Sequence, residues 1–284
     1  MKADCHIHMV LDGIWYKDAI AAHSQGPRDD LIHQVLRRYQ AMGYTYLRDG
    51  GDRWGVGVRA RTLAQDYGIV YRSPIFPICK TGHYGGFIGR NYTTEREYVT
   101  LLSQVRQQGG DFVKLMLSGL MDFDRYGVLI YDPLEPAEIR RLIHIAHEEG
   151  FTVMAHANGA ATVLAAAEAG VDSVEHGAYL NQEALQAMTE RQVVWVPTLS
   201  TIGNLSGTGR FREEAVQAIF ASAQENVAAF AAMGGLLAPG SDAGAYAVPH
   251  GRGGETEYAH FRVCLGADSD SILRRGTELL RQKF

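Results

Sequence analysis

The sequence predicts an α/β protein whose 284 residues form a single (β/α)8 barrel domain, the TIM barrel. Its length is close to the roughly 250 residues that are typical of this fold. Eight strand-like segments follow one another, and a helical pattern lies between consecutive segments. No Ser/Gly/Pro-rich linker divides the chain. Alternating strands and helices favour a parallel sheet, and eight strands favour its closure into a barrel.

The predicted strands are short runs rich in apolar, β-branched and aromatic residues. The first is an extended run over residues 1–8, and Phe112–Leu117 is apolar enough for a strand buried on both faces. The other six cover residues 44–47, 69–76, 151–155, 172–175, 193–196 and 236–238. An open doubly wound sheet is the main alternative, and the lack of a GxGxxG loop after the first strand disfavours it.

The predicted helices have apolar residues at helical spacing and recognisable ends. Thr94 and Glu97 form a capping box before one helix, and Gly170 ends an alanine-rich helix. The other helices are expected near residues 31–42, 58–67, 136–149, 211–230 and 271–280, and one more is expected to begin near Asn181.

Composition indicates small molecules as partners. The net charge is −5, with acidic and basic residues mixed, so neither a nucleic-acid-binding stripe nor a polybasic membrane patch is present. Cys5, Cys79 and Cys264 are too dispersed for a disulfide framework or a cysteine zinc site. No signal peptide or membrane-spanning run is evident. We therefore expect a cytoplasmic protein, and also a homo-oligomer, although no particular stretch argues for association.

Polar side chains gather where the predicted strands end. His6 and His8 alternate with Ile7 in an extended run, so they share a face and can bind one metal ion. Each such residue alone is more often structural. Active sites of (β/α)8 barrels lie at the carboxyl ends of the strands, however, and six groups at that end are hard to explain as independent packing events. The six are His6, His8, Lys114, His156, His176 and Asp242.

Lys114 is the most informative of these groups, because it stands inside an apolar strand. Burial disfavours the ammonium and lowers the pKa of a lysine, which favours the free amine. A free amine can add carbon dioxide to give a carbamate, an anion whose two oxygens are able to bridge two metal ions.

An ordered set of motifs resembles the amidohydrolase superfamily, and within it the Xaa-Pro dipeptidase and imidazolonepropionase-like branch of metal-dependent hydrolases. The similar segments span almost the whole chain: DCHIH at residues 4–8, LRDGG at 47–51, TGH at 81–83, VKLMLSG at 113–119, HANG at 156–159, AGVDSVEHG at 169–177 and GSDAG at 240–244.

The resemblance implies a binuclear metal centre. In it His6, His8 and Asp242 hold one divalent ion, while His156 and His176 hold the other. Carboxylated Lys114 bridges the two. Zinc suits this mixture of nitrogen and oxygen ligands, and manganese, cobalt and iron remain open. The implied reaction is cleavage of an amide bond in a small molecule, such as a dipeptide or an N-acyl amino acid, by a metal-bound hydroxide. Asp242 is then the catalytic acid and base.

Three loop residues, His83, Tyr84 and His250, are expected to overhang the same face and to contact the substrate, with surface positions of no function as the alternative. The chain departs from the family in having Asn158 where many members have a histidine. The chain is also expected to be without the usual flanking β-sandwich domain, because the first predicted strand starts at the first residues. Two other functions remain open: a mononuclear cyclic-amide hydrolase or deaminase, and a non-catalytic barrel that binds a ligand.

Overall fold

The computed structural model describes residues 2–284, and it confirms an α/β fold with parallel strands. Met1, at the start of the first predicted strand, lies outside the described residues. The strands are β1 Lys2–Ile7, β2 Tyr44–Asp49, β3 Val70–Arg72, β4 Pro77–Lys80, β5 Arg90–Tyr92, β6 Val113–Met116, β7 Val153–Ala157, β8 Ser173–His176, β9 Val194–Val196 and β10 Leu236–Leu237.

The helices mostly follow the strands in the predicted alternation. They are α1 Tyr16–Ala22, α2 Asp29–Ala41, α3 Val56–Ala64, α4 Glu95–Gln107, α5 Pro136–Glu148, α6 Ala160–Glu168, α7 Gln182–Glu190, α8 Ser200–Gly203, α9 Glu213–Ala232, α10 Arg252–Leu265 and α11 Ser269–Lys283. Short 3₁₀ turns cover Gln65–Tyr67 and Gly266–Asp268. Within residues 2–284, no helix combines the length and apolar composition needed to cross a bilayer.

The strands form two parallel sheets, with the orders β1-β2-β3 and β10-β9-β8-β7-β6-β4-β5. The register of the larger sheet places His156 and His176 near the ends of neighbouring strands. Met116 pairs with His156 and Ala157 pairs with His176, so β6, β7 and β8 end at nearly the same level.

The predicted third strand, residues 69–76, is shorter in the structure, where β3 covers Val70–Arg72 and a separate strand, β4, begins after the predicted run at Pro77. β3 pairs with β2 in the smaller sheet, whereas β4 pairs with β6 in the larger one. Between them Ile75 has a φ of 71°, a left-handed conformation that interrupts an extended strand. The chain therefore passes from one sheet to the other at this point.

The opposite edges of the two sheets are joined by backbone hydrogen bonds. Cys5 N donates to Pro239 O at 2.8 Å, Asp242 N donates to His6 O at 2.7 Å, and His8 N donates to Ala243 O at 2.7 Å. The end of β1 thus lies against the segment that follows β10. This contact brings the first and last predicted site residues together.

Two predicted helix starts are confirmed by their caps. Thr94 and Glu97 make the full capping box, and the Asn181 side chain accepts from Ala184 N. Phe211, which was expected on the stripe of the long helix, lies before α9 begins.

Several of the described helices and strands were not predicted: α1, β4, the edge strand β5, α8 and α10. The glycines Gly253 and Gly254 within α10 disfavour a helix in the sequence. The structure explains one of them, because a Cβ on Gly254 would lie 2.2 Å from the Tyr44 hydroxyl.

Candidate metal centre

Four histidines meet at the carboxyl ends of β1, β7 and β8. Their rings form a continuous series, with centroid separations of 5.3 Å for His8 and His6, 5.1 Å for His6 and His176, and 4.5 Å for His176 and His156. The two predicted pairs of ligands are therefore adjacent.

Asp242 completes a compact set of donor atoms with the first pair. Its Oδ1 lies 3.5 Å from His6 Nε2 and 3.4 Å from His8 Nε2. Donor atoms of these three residues all lie within 4.8 Å of one another. Buried polar atoms are normally hydrogen-bonded. His6 Nε2 and Asp242 Oδ1 have no such partner, which is the arrangement expected of ligand atoms.

The orientation of His6 is set by a buried ion-pair network. His6 Nδ1–H donates to Glu175 Oε2 at 2.7 Å, and Arg48 Nη2 donates to Glu175 Oε1 at 2.7 Å. Ser173 Oγ also donates to Glu175 Oε1 at 2.6 Å. A carboxylate behind an imidazole fixes its tautomer and leaves the lone pair of the other nitrogen free for a metal. For His6 that free nitrogen is Nε2.

The second pair of histidines is held in a similar way. His176 Nδ1 lies 2.8 Å from Thr198 Oγ1, and His156 Nε2–H donates to Gly119 O at 3.2 Å. The free nitrogens are consequently Nε2 of His176 and Nδ1 of His156. Asn158, the departure from the family motif, is fully buried and donates to Gly119 O at 3.0 Å, so it supports the same loop as His156.

Lys114 lies in β6 and is 1% exposed, and its Nζ has no hydrogen-bond partner. Burial lowers the pKa of Lys114 to about 8, while Glu175 and Asp242 act in the opposite direction. The free amine that carbamate formation needs is therefore far more accessible than at an exposed lysine.

Burial also keeps the imidazoles uncharged. It lowers the pKa of His8 and His156 to about 3, helped by the nearby Lys114 ammonium, and it holds the pKa of His6 and His176 well below the usual range. A neutral imidazole is the form that binds metals. Burial raises the pKa of Asp242 to about 7, against the effect of Lys114.

The backbone is unusual at three residues of the centre. His176, Thr198 and Asp242 have φ values of 67°, 51° and 58°, which non-glycine residues seldom adopt. Such conformations cluster at functional sites, where the surroundings hold them in place. Gly50 affects the centre through its lack of a side chain. A Cβ at this position would lie 2.2 Å from Cε1 of His8. The glycine therefore makes room for the His8 ring.

The centre lies at the base of a cavity of about 710 Å³. Its walls are largely apolar, with Tyr84, Phe87 and Met116 among the lining residues. The volume lies within the range of pockets for small molecules.

The three predicted substrate contacts differ in position. His83 and Tyr84 both line the cavity, and the Tyr84 ring lies 5.0 Å from that of His156. His250 does not line it. Its Nε2 lies 2.9 Å from Leu11 O and its Nδ1 lies 3.3 Å from the Tyr39 hydroxyl, so it is a buried support behind the cavity wall.

Arg48 and Glu175 lie within the sequence motifs, but no role was predicted for them. No role was predicted for Thr198 or Arg210 either. The available signal for Arg48 and Glu175 was a charged residue at the end of each of two predicted strands. Thr198 and Arg210 lie in loops, and their positions depend on tertiary structure.

Comparison with known proteins adds sequence relatives, although no family model matches the chain. An ochratoxinase of Aspergillus niger is 25% identical over 236 residues, which is 70% of this chain and 47% of the relative. An uncharacterised protein of Mycobacterium tuberculosis is 31% identical over 120 residues, or 40% of this chain and 32% of the relative. The chain thus spans about half the length of the ochratoxinase and about a third of the length of the mycobacterial protein.

Solved structures resemble the whole chain. A Xaa-Pro dipeptidase with bound methionine in its active site has a TM-score of 0.78 at 20% identity, covering 99% of this chain and 75% of its own. Aspergillus niger ochratoxinase has a TM-score of 0.79 at 20% identity, covering 99% and 70%. A prolidase complexed with N-methylphosphonate-L-proline has a TM-score of 0.76 at 21% identity, covering 99% and 73%. At these identities the structures show a shared fold.

The chain therefore shares its fold with the Xaa-Pro dipeptidase, prolidase and ochratoxinase structures, and its sequence is similar to that of the ochratoxinase over 236 residues.

Proposed function

We propose that the two sheets form the wall of one closed (β/α)8 barrel domain. The hydrogen bonds between β1 and residues 239–243 support this at one junction, and the passage from β3 to β4 supports it at the other. A common interior also supports it. A single buried apolar cluster contains side chains from both sheets, among them Ala3, Cys5, Tyr46, Met154, Val194, Val196 and Leu236.

We propose that the protein is a metal-dependent hydrolase that cleaves an amide C–N bond in a small molecule. One observation carries this proposal: four uncharged histidines and Asp242 converge at the base of a cavity of about 710 Å³. The names of the relatives agree with it, since they include a dipeptidase, a prolidase and an ochratoxinase.

The residues present fit a metal centre. His6 Nε2, Lys114 Nζ and Asp242 Oδ1 are buried without partners, and three of the histidines have one nitrogen held so that the other is free. In the proposed assignment His6, His8 and Asp242 would hold one divalent ion, and His156 and His176 would hold a second. Carboxylated Lys114 would supply an anionic oxygen ligand to both. These nitrogen and oxygen donors suit zinc.

Divalent ions bound here would lower the pKa of a water molecule and polarise the substrate carbonyl. The protein supplies the remaining chemistry. Asp242, with one oxygen close to both His6 and His8, takes the proton of the water and returns it to the departing amine. The apolar walls limit access of bulk water, which strengthens electrostatic interactions inside the cavity.

Substrate contacts are proposed for His83 and Tyr84, because both line the cavity. His250 is assigned a supporting role instead, through its contact with the backbone of Leu11.

A mononuclear site is the second candidate, because His6, His8 and Asp242 already form a compact set of donors by themselves. Such a site would suit a cyclic-amide hydrolase or a deaminase. Metal analysis distinguishes the two candidates, since the binuclear assignment requires two ions per chain.

Hydrolysis of a defined library tests the proposal. Zinc-loaded protein in bicarbonate buffer is incubated with dipeptides and N-acyl amino acids, and the released amine is quantified. We expect release by the wild type and by His144→Asn, an exposed histidine on α5 that serves as a control. Chelated protein, His6→Asn and His156→Asn should release none. Metal-loaded protein that cleaves no compound, or release that chelation does not affect, would contradict the proposal.

A further inference from the structure

Arg210 is a cation at the rim of the cavity whose role the metal centre does not explain. It lies in the loop between α8 and α9, and its exposed side chain lines the same cavity as His6 and Asp242. Among the described residues that line this cavity, Lys114 and Arg210 are the two with lysine or arginine side chains. Lys114 is buried at the base, so Arg210 is the cation that an entering ligand meets.

The guanidinium of Arg210 is held by aromatic rings. It lies 4.1 Å from the ring centroid of Tyr246, 5.4 Å from that of Phe211 and 5.8 Å from that of Trp15, all within the range of cation–π contacts. Within residues 2–284, it makes no ion pair with a carboxylate, and its side chain donates no hydrogen bond. The rings therefore orient the group while its N–H donors remain available.

The cavity offers Arg210 no neutralising partner of its own. Asp122 also lines the cavity, but its carboxylate is engaged by Arg125, whose Nε donates to it at 2.7 Å. Asp242 belongs to the metal centre. An available guanidinium fork at a cavity mouth matches the planar, two-oxygen geometry of a carboxylate, which it can bind through two parallel hydrogen bonds.

The position of Tyr246 limits how far Arg210 can be from the metal centre. Tyr246 follows Asp242 by four residues, so their Cα atoms are at most about 14 Å apart. Trp15 lies in the loop that follows His8. Because Arg210 and the residues of the metal centre also line one cavity of about 710 Å³, a single small molecule can place its amide at the metal centre and an anionic group near Arg210.

The rim around Arg210 is unusually apolar for a protein surface. Large apolar side chains of the cavity lining remain substantially exposed: Ile14 is 71% exposed, Ile130 53%, Tyr131 48% and Trp15 41%. Large exposed apolar side chains around one cavity are typical of ligand grooves and interaction sites. A ligand with a bulky apolar or aromatic group would cover it.

We propose that Arg210 is the anion receptor of this cavity, and that the substrate is an amide carrying both a carboxylate and a bulky apolar or aromatic group. This inference rests on the proposed hydrolase function. It assigns Arg210 to recognition of the carboxylate that dipeptides and N-acyl amino acids share, and among those compounds it favours the ones with a bulky apolar or aromatic group.

Equilibrium binding tests the inference independently of turnover. The probes are N-benzenesulfonyl-phenylalanine and its carboxamide, because a sulfonamide resists hydrolysis and the pair differs in charge. Zinc-loaded wild type should bind the carboxylate roughly ten- to a hundredfold more tightly than the carboxamide, the range for a charged hydrogen bond. Arg210→Gln should lose most of that preference, and Arg210→Lys should keep part of it.

Controls separate Arg210 from other sources of charge preference. Any contact between carboxylate and metal is common to all variants, so the difference between variants isolates the arginine. Arg212→Gln removes an exposed arginine two residues away, near Glu214, and should retain the full preference of the wild type. N-methanesulfonyl-alanine should bind at least roughly tenfold more weakly than the aromatic probe, because it buries far less apolar area.

The outcomes distinguish the inference from the proposed function. An equal preference in the wild type and Arg210→Gln, or no binding of either probe, overturns the anion receptor. Equal binding of the small and the aromatic probe overturns the apolar part. Hydrolysis of amides without any charge preference leaves the hydrolase function intact, whereas charge-selective binding without hydrolysis of any amide refutes the function and retains the receptor.

Discussion

Glu175→Gln is the substitution that best probes how the centre is held together. Glu175, Arg48 and His6 are all inaccessible to solvent. The change keeps the shape of the side chain but removes the negative charge that Arg48 Nη2 contacts at 2.7 Å. A buried guanidinium then lacks its counter-charge, and His6 Nδ1 loses a charged acceptor. Stability and metal affinity should therefore fall together.

The magnitudes follow from the burial of the pair. Breaking a buried ion pair by removing one partner costs about 3–5 kcal/mol. Loss of the acceptor behind a metal-binding histidine typically lowers metal affinity about 10- to 100-fold. Glu168→Gln is the matched control, because Glu168 makes an exposed ion pair with Arg140 at 3.7 Å, a kind that contributes about 0–1 kcal/mol.

Urea unfolding of the metal-free proteins gives the stability change, and zinc titration against a competing chelator gives the affinity. The double variant Arg48→Met/Glu175→Gln removes both charges and should recover part of the lost stability, because no uncompensated charge remains. Unfolding free energy and zinc affinity of Glu175→Gln that match those of the wild type would refute this reasoning.

Three further predictions concern other parts of the site. Lys114→Ala should lose activity and the second metal equivalent in metal analysis, whereas Lys114→Glu should regain some metal but little rate; two ions and normal turnover in Lys114→Ala would count against the bridge. Burial raises the pKa of Glu257 from 4.5 to about 8, so the acid form is favoured in the fold and stability should decline as pH rises from about 4.5 to 8. In urea unfolding, the free energy of unfolding of Glu257→Gln relative to that of the wild type should rise across this pH range, by up to about 5 kcal/mol at 1.36 kcal/mol per pKa unit. The exposed Glu255→Gln control should show no such rise. A difference that does not depend on pH would exclude the mechanism. Gly50→Ala should weaken zinc binding, because its Cβ would displace the His8 ring, and unchanged affinity by chelator competition would contradict that.

Much of the strand and helix order was readable from the sequence, because hydrophobic periodicity and helix caps are local signals. The capping box at Thr94 and the apolar strand around Lys114 were both located this way. The end of β3 at Arg72 and the start of the separate strand β4 at Pro77 were not, since they depend on which sheet each strand joins. Helix α10 was missed because Gly253 and Gly254 disfavour a helix, although Gly254 is needed for close packing against Tyr44.

The candidate ligands were identified because they end strands, and parallel strands bring their carboxyl ends to one face. The structure brings His6, His8, His156, His176 and Asp242 together, and it places Lys114 in the same cavity. Loop residues were less predictable, because their positions depend on packing between distant segments. His250 was expected in the cavity and lies behind its wall, whereas Arg210 reaches the rim through contacts with three rings.

A crystal structure of zinc-loaded protein grown with bicarbonate, with anomalous data collected at the zinc edge, tests the metal centre most directly. The account predicts two anomalous peaks, one among His6, His8 and Asp242 and one beside His156 and His176, with additional density on Lys114 Nζ that contacts both. A bare Lys114 amine beside two fully occupied ions, or zinc bound elsewhere with these residues free, would contradict it.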